Sequence, residues 1–171
     1  MIRKTLALAI ALLAIPAAFL YAGDNTSWME MENCAMCKNM MQDPGLLNNC
    51  TWEHHDIANG IVCVSTVDDK YMDSFKTAVA GMGDVQKKLM NGEKLHVCNM
   101  CQDMLDIMSK GAKSEDIMTK HGAVSVLTSS DPALVARLHT WAQRTNSAMA
   151  MMEKADQSKT MSKTATKSKS Y

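Results

Sequence analysis

Aromatic residues are scarce in this chain: three Trp, three Tyr and two Phe among 171 residues. Methionine is abundant instead, with 17 copies. Its flexible thioether specifies packing poorly, so a core this rich in it invites a second use for the sulfur. Net charge is absent too, 18 basic against 18 acidic side chains, which removes any reason to expect a nucleic-acid partner held by bulk electrostatics. Also missing are a nucleophile–base–orienter arrangement, carboxylates paired at fixed spacing and a phosphate-cradling glycine loop. Hydrolytic chemistry therefore has no support.

Long apolar runs are confined to the start. Arg3 and Lys4 precede an apolar stretch from Leu6 to about Leu20, with a small-residue boundary at Ala22-Gly23. That order reads as a secretory signal over residues 1–22, leaving a periplasmic or secreted protein with no stable membrane insertion. An anchored form results only if the segment stays uncleaved, and at this length it is short for a spanning helix. No Cys stands at the boundary to carry lipid.

What the chain does have is a motif written twice: Cys34-Ala-Met-Cys37 and Cys98-Asn-Met-Cys101. Two residues between cysteines let both sulfurs face one point, and backbone N–H groups at a helix start stabilise thiolate charge. Such a pair suits a metal chelate, a redox couple or a disulfide. Doubling the motif offers four thiolates to one tetrahedral ion, although some 60 residues separate the copies, unlike a zinc ribbon. Thiolates alone suit Zn(II); thiolates with thioethers select Cu(I). Met36 and Met100, inside the motifs, are the auxiliary candidates, and His96 is the best-placed histidine, on the same side of a predicted strand as Cys98. The expected ligands are thus Cys34, Cys37, Cys98 and Cys101, with Met36, Met100 and His96 in support and Cu(I) ahead of Zn(II). The function expected is chaperoning, buffering or resistance, with a metal-receiving protein as a further partner, and not catalysis.

Two other classes use the same cysteines. One is a periplasmic thiol–disulfide oxidoreductase, for which no thioredoxin-like Trp precedes the motif and no downstream proline is placed as the cis-proline of that fold. The other is a non-catalytic interaction module stapled by disulfides. Cys50 and Cys63 do not oppose each other across the Asn59-Gly60 turn, where Cys63 would face Asp56. Cys63 reads as a small buried strand residue. His54 and His55, adjacent on a strand, point to opposite faces. His121 fits a turn, and His139 lies on the last helix.

The two motifs head similar strings of signals. Cys37 to Gly60 and Cys101 to Gly122 are 23 and 21 residues apart. Each glycine precedes an alternating apolar run, then an aspartate that opens a periodic stretch. The expectation is an α+β fold of two pseudo-repeated helix–hairpin–helix halves, about 29–91 and 93–152, in one domain over 23–152. The strands expected are Thr51–Ile57 with Ile61–Thr66, Asp116–Thr119 with Ala123–Thr128, and Glu93–Val97 leading into the second motif. Gly81 and Gly83 are expected to interrupt the helix of the first half. Asp131-Pro132 opens the last helix. Residues 153–171, rich in Lys, Ser and Thr, read as a disordered tail.

Cys34-Ala-Met-Cys37 with Met40, then Asp56-Ile-Ala-Asn-Gly60 and Asp68-Asp-Lys-Tyr-Met72, resembles the NosL-type periplasmic copper-binding proteins over about 40 residues. Lys38 stands where that family has Gly, and the family's lipid-anchor Cys is missing. The resemblance implies Cu(I) held by Cys34, Cys37 and a nearby Met for delivery to another protein. More broadly, the chain is similar to the exported CxxC-repeat proteins of bacteria.

Overall fold

Runs rich in β-branched residues over 50–67 and 113–128, each broken by a two-residue turn, give two hairpins. The structure, a computed structural model, describes residues 28–167 and their side chains as far as Lys154. The expected signal, residues 1–22, lies outside the described residues. Strands β1 (Cys50–Ile57), β2 (Gly60–Val67), β3 (Lys113–Thr119) and β4 (Gly122–Thr128) form one antiparallel sheet in the order β1-β2-β4-β3. Helices α1 (Met72–Met90), α2 (Asn99–Ser109) and α3 (Pro132–Lys167) accompany it. No helix among the described residues is long and apolar enough to cross a membrane.

The fold is α+β, but it is not a pair of equivalent helix–hairpin–helix halves. The first motif is followed only by a five-residue 3-10 turn, Cys37–Met41, where an α-helix was expected. Asp43-Pro44-Gly45 stands where a second turn would form, and the residue before a proline is driven out of the helical region. Nor does each half pack on itself. The hairpins merge through β2 and β4, α1 lies against the 3-10 turn, and α3 crosses β1 and β2 of the first hairpin. Residues 93–97 form no strand. Helix α1 runs unbroken through Gly81 and Gly83. Helix α3 continues through residues 153–167, where composition suggests disorder.

Hairpin register also differs from expectation. Ile57 pairs with Gly60, so the turn residues are Ala58 and Asn59, and Cys63 faces His54 instead of Asp56. The reason is steric. A Cβ on Gly60 would run into the carbonyl oxygen of Leu127 on β4, so this glycine admits the neighbouring strand and does not make the turn. Gly122 serves the same purpose beneath Ser65.

One face of the sheet carries the core. Ile61 and Leu127 pack with Ile107 of α2 and with Leu138, Trp141 and Ala142 of α3. Cys50 and Val67 pack with Met72, Phe75 and Ala78 of α1. Asp131 caps α3 as expected, its Oδ1 accepting the Ala133 N–H at 2.8 Å. The His139 ring Nε2 reaches the carbonyls of Ile57 and Gly60 at 3.0 and 2.9 Å, which ties α3 to the first hairpin.

Candidate metal centre

Cys98 is the extended residue that precedes α2, and Cys101 lies in that helix's first turn. Their spacing puts both sulfurs at one helix end. Cys34 and Cys37 come from the irregular segment 28–41, which the backbone fastens to the second motif on two sides. Ala35 N–H donates to His96 O at 2.8 Å, and Met100 N–H donates to Trp28 O at 2.9 Å. The four sulfurs consequently meet. Cys37 Sγ lies 3.5 Å from Cys101 Sγ and 3.7 Å from Cys98 Sγ, and Cys34 Sγ lies 3.7 Å from Cys101 Sγ. All four lie within 4.8 Å of one another.

These separations carry chemical meaning. A tetrahedral ion with metal–sulfur bonds of about 2.3 Å sets its sulfurs about 3.75 Å apart. A disulfide needs about 2.05 Å, and all six cysteines are free thiols. The quartet can therefore hold a metal ion with little rearrangement.

Burial and hydrogen bonding define the electrostatics. The four cysteines are at most 8% exposed, and Cys34 is fully enclosed. Cys37 N–H donates to Cys34 Sγ at 3.5 Å. The Cys98 thiol is pushed well below the ordinary range by hydrogen bonds from the Cys101 and Cys37 thiols, helped by the N–H groups of Cys101 and Glu30. Cys101 is pushed far up by its hydrogen bonds to Cys37 and Cys98 together with burial. Cys37 receives a hydrogen bond from Cys101 that lowers it. Its bond to Cys98, with burial and the charges of Cys98 and Cys34, outweighs this and raises it. Without a cation the cluster thus shares protons, because several buried thiolates repel one another. A bound divalent ion would replace those protons.

The supporting candidates divide. Met36 and Met100 pack against the quartet, joined by Met31. His96 does not turn inward: its Nε2 lies 2.8 Å from Glu30 Oε2, on an exposed side chain. Its predicted strand does not form, so the alternation that would have aligned it with Cys98 is absent. His54 and His55 lie on opposite faces of β1, and their rings are engaged elsewhere, His54 Nδ1 with Asn146 Oδ1 at 2.8 Å and His55 Nε2 with Glu53 Oε2 at 2.9 Å.

Three residues whose role here sequence reasoning missed hold the first motif in place. Trp28 is buried, its Nε1 donating to Thr145 Oγ1 at 3.3 Å and its ring stacked 3.8 Å from the Arg144 guanidinium. Buried Asn39 donates through Nδ2 to the carbonyls of Ala35 and Met36, at 3.0 and 2.9 Å. Gly81 of α1 lies directly beneath it, where a Cβ would collide with Asn39 Oδ1. A lone tryptophan in a polar stretch was the one visible signal of these.

No family model matches the chain, and no curated protein or solved structure matches it either. What the centre can do is set by its own geometry.

Proposed function

We propose that this is an exported, non-catalytic protein that holds one thiophilic metal ion on Cys34, Cys37, Cys98 and Cys101, with Zn(II) in first place. The observation that carries this reading is the convergence of four buried sulfurs at spacings matching a tetrahedral ion. A closed four-sulfur set suits Zn(II) or iron, which supports Zn(II) ahead of Cu(I), the reverse of the order expected from the methionines. Burial supports an ion that is retained, because a closed site without an open coordination position is the mark of a structural centre. The ion would staple segment 28–41 to the start of α2. Arg3, Lys4 and the apolar run that follows support export.

Cu(I) is the second reading, favoured by the thioethers of Met31, Met36 and Met100 against the cysteines and by the NosL-type resemblance, which would make delivery the task. Metal content by mass spectrometry, read beside a free-thiol count, tests both. One zinc per chain, lost in Cys34→Ser and Cys98→Ser, is expected. Stoichiometric copper favours the second reading. A metal-free protein with a reversibly reducible cysteine pair would replace both with thiol–disulfide exchange.

A further inference from the structure

Every buried side chain of the sheet points to the face that carries the helices. The register shows what occupies the other face. His55, Val62, Val126 and Glu115 form one row across β1, β2, β4 and β3, and Glu53, Val64, Val124 and Ile117 form the next. At its centre is a two-by-two block of valines, all partly exposed, bordered by Ile117 at 58% exposure. No described helix covers this face, since α1, α2 and α3 all pack against the opposite one. A sheet with one solvated face ordinarily alternates apolar inward and polar outward. Here the middle outward positions of both central strands are valines, flanked by Thr66, Thr128 and two glycines, a composition suited to packing on another sheet.

We infer that this face is a self-association surface, closed by a second copy of the chain packed sheet against sheet about a two-fold axis. The charges at its edges identify the occupant. With the axis between the copies, near the strand direction and midway between β2 and β4, each valine block meets its counterpart and β1 of one copy lies over β3 of the other. That operation places His55 over Glu115 of the second copy, twice, because the two residues share a row at opposite ends. Within one copy they stand three strand spacings apart, about 14 Å, and cannot meet. Glu53 already holds the His55 ring at 2.9 Å, so the imidazole is oriented for a carboxylate arriving on its other side. Edge-to-edge growth is opposed, by contrast. Antiparallel self-pairing of β3 about its centre sets Asp116 against Asp116. The face measures about 19 by 23 Å. Two such footprints make roughly 900 Å², below the roughly 1,200 Å² at which stable specific interfaces begin and in the range of transient ones, which fits a weak, concentration-dependent dimer and not a permanent one.

Sedimentation velocity on the purified, metal-replete chain over a concentration series tests this. A reversible dimer is expected. Val126→Asp should weaken it at least tenfold while far-UV circular dichroism and metal content stay unchanged. Glu115→Lys and His55→Glu, both at exposed positions, should each weaken it severalfold, and the double variant should recover most of the loss. A chain that stays monomeric up to hundreds of micromolar, leaving the face to some other occupant, overturns the proposal. So does a dimer indifferent to Val126→Asp, or a charge swap without recovery.

Discussion

Cys37 and Cys101 bring their sulfur atoms to 3.5 Å although 64 residues separate them in the chain. The first motif is bound to the second by two flanking backbone hydrogen bonds and by the Glu30–His96 contact at 2.8 Å. Trp28 anchors the start of the segment, and Asn39 rests on Gly81 of α1. Segment 28–41 is otherwise irregular, apart from its short 3-10 turn, so an ion on the four sulfurs would add a strong further tie between it and the start of α2.

Removing the ion should therefore loosen that segment before the sheet. Lys38 lies exposed between Cys37 and buried Asn39. Treatment with a strong chelator is expected to make the Lys38 bond cleavable by trypsin, with the strand and helix circular dichroism largely kept. Cys37→Ser should behave likewise without chelator, since a ligand lost from a four-sulfur set sacrifices most of the binding energy that doubles as folding energy. Equal protection of Lys38 with and without metal would refute the stapling role.

The two glycines of α1 should respond oppositely to alanine. Gly81 lies under the Asn39 amide, which braces the carbonyls of Ala35 and Met36 and also accepts from Gln42 Nε2 at 3.1 Å. A methyl there has to displace Asn39, and overpacking of this kind costs about 1–3 kcal/mol. Gly83 has open space where its Cβ would be, and replacing a helical glycine with alanine stabilises by about 0.5–1 kcal/mol. Gly81→Ala is thus expected to lower the unfolding midpoint and quicken metal loss to a chelator, and Gly83→Ala to raise the midpoint with metal loss unchanged. Chemical denaturation and competition kinetics read both.

Gly81 also shows where sequence reading stopped. Periodicity located both hairpins, the last helix with its Asp131 cap and the cysteine quartet, because each is written in local spacing or in a repeated motif. It took Gly81 for a helix break, since a glycine needed for close approach and a glycine that ends a helix look alike until the neighbouring element is known. Gly60 misled for the same reason: it passes for a turn residue, yet the Leu127 carbonyl is what requires it. The repeated signals suggested equivalent halves, but Pro44 denies the first motif its helix and α3 serves the other hairpin. His96 was aligned with Cys98 by a strand that does not form.

Cys50 and Cys63, outside the quartet, should make the fold sensitive to alkali. Burial pushes the Cys50 thiol up to about 12, and burial with the Asp116 charge pushes Cys63 up to about 12, from an ordinary 9.0. The folded state thus favours the protonated thiols. Their contribution is fully present below pH 9 and is lost as the pH climbs from 9 toward 12, by up to about 1.4 kcal/mol per pH unit for each. Denaturant unfolding at pH 8, 9 and 10 should show stability falling, with a shallower fall in the Cys50→Ala/Cys63→Val double variant. Parallel slopes would mean that other groups titrate.

The thioethers offer the sharpest separation between the two metals. Met36 and Met100 touch the quartet, but a tetrahedral ion on four thiolates has no position left for them, whereas Cu(I) recruits soft neighbours. Leucine keeps the volume of methionine and removes the sulfur, a swap that usually costs less than about 1.5 kcal/mol. For a zinc centre, Met36→Leu and Met100→Leu should leave the metal content at one per chain and its release rate nearly unchanged, and His96→Ala should do the same because that ring faces Glu30. For a copper centre, at least one methionine variant should lose the ion or bind it several-fold more weakly. Metal analysis with release kinetics decides between them, and loss of zinc from Met100→Leu would show a thioether among the ligands and the four-cysteine assignment to be incomplete.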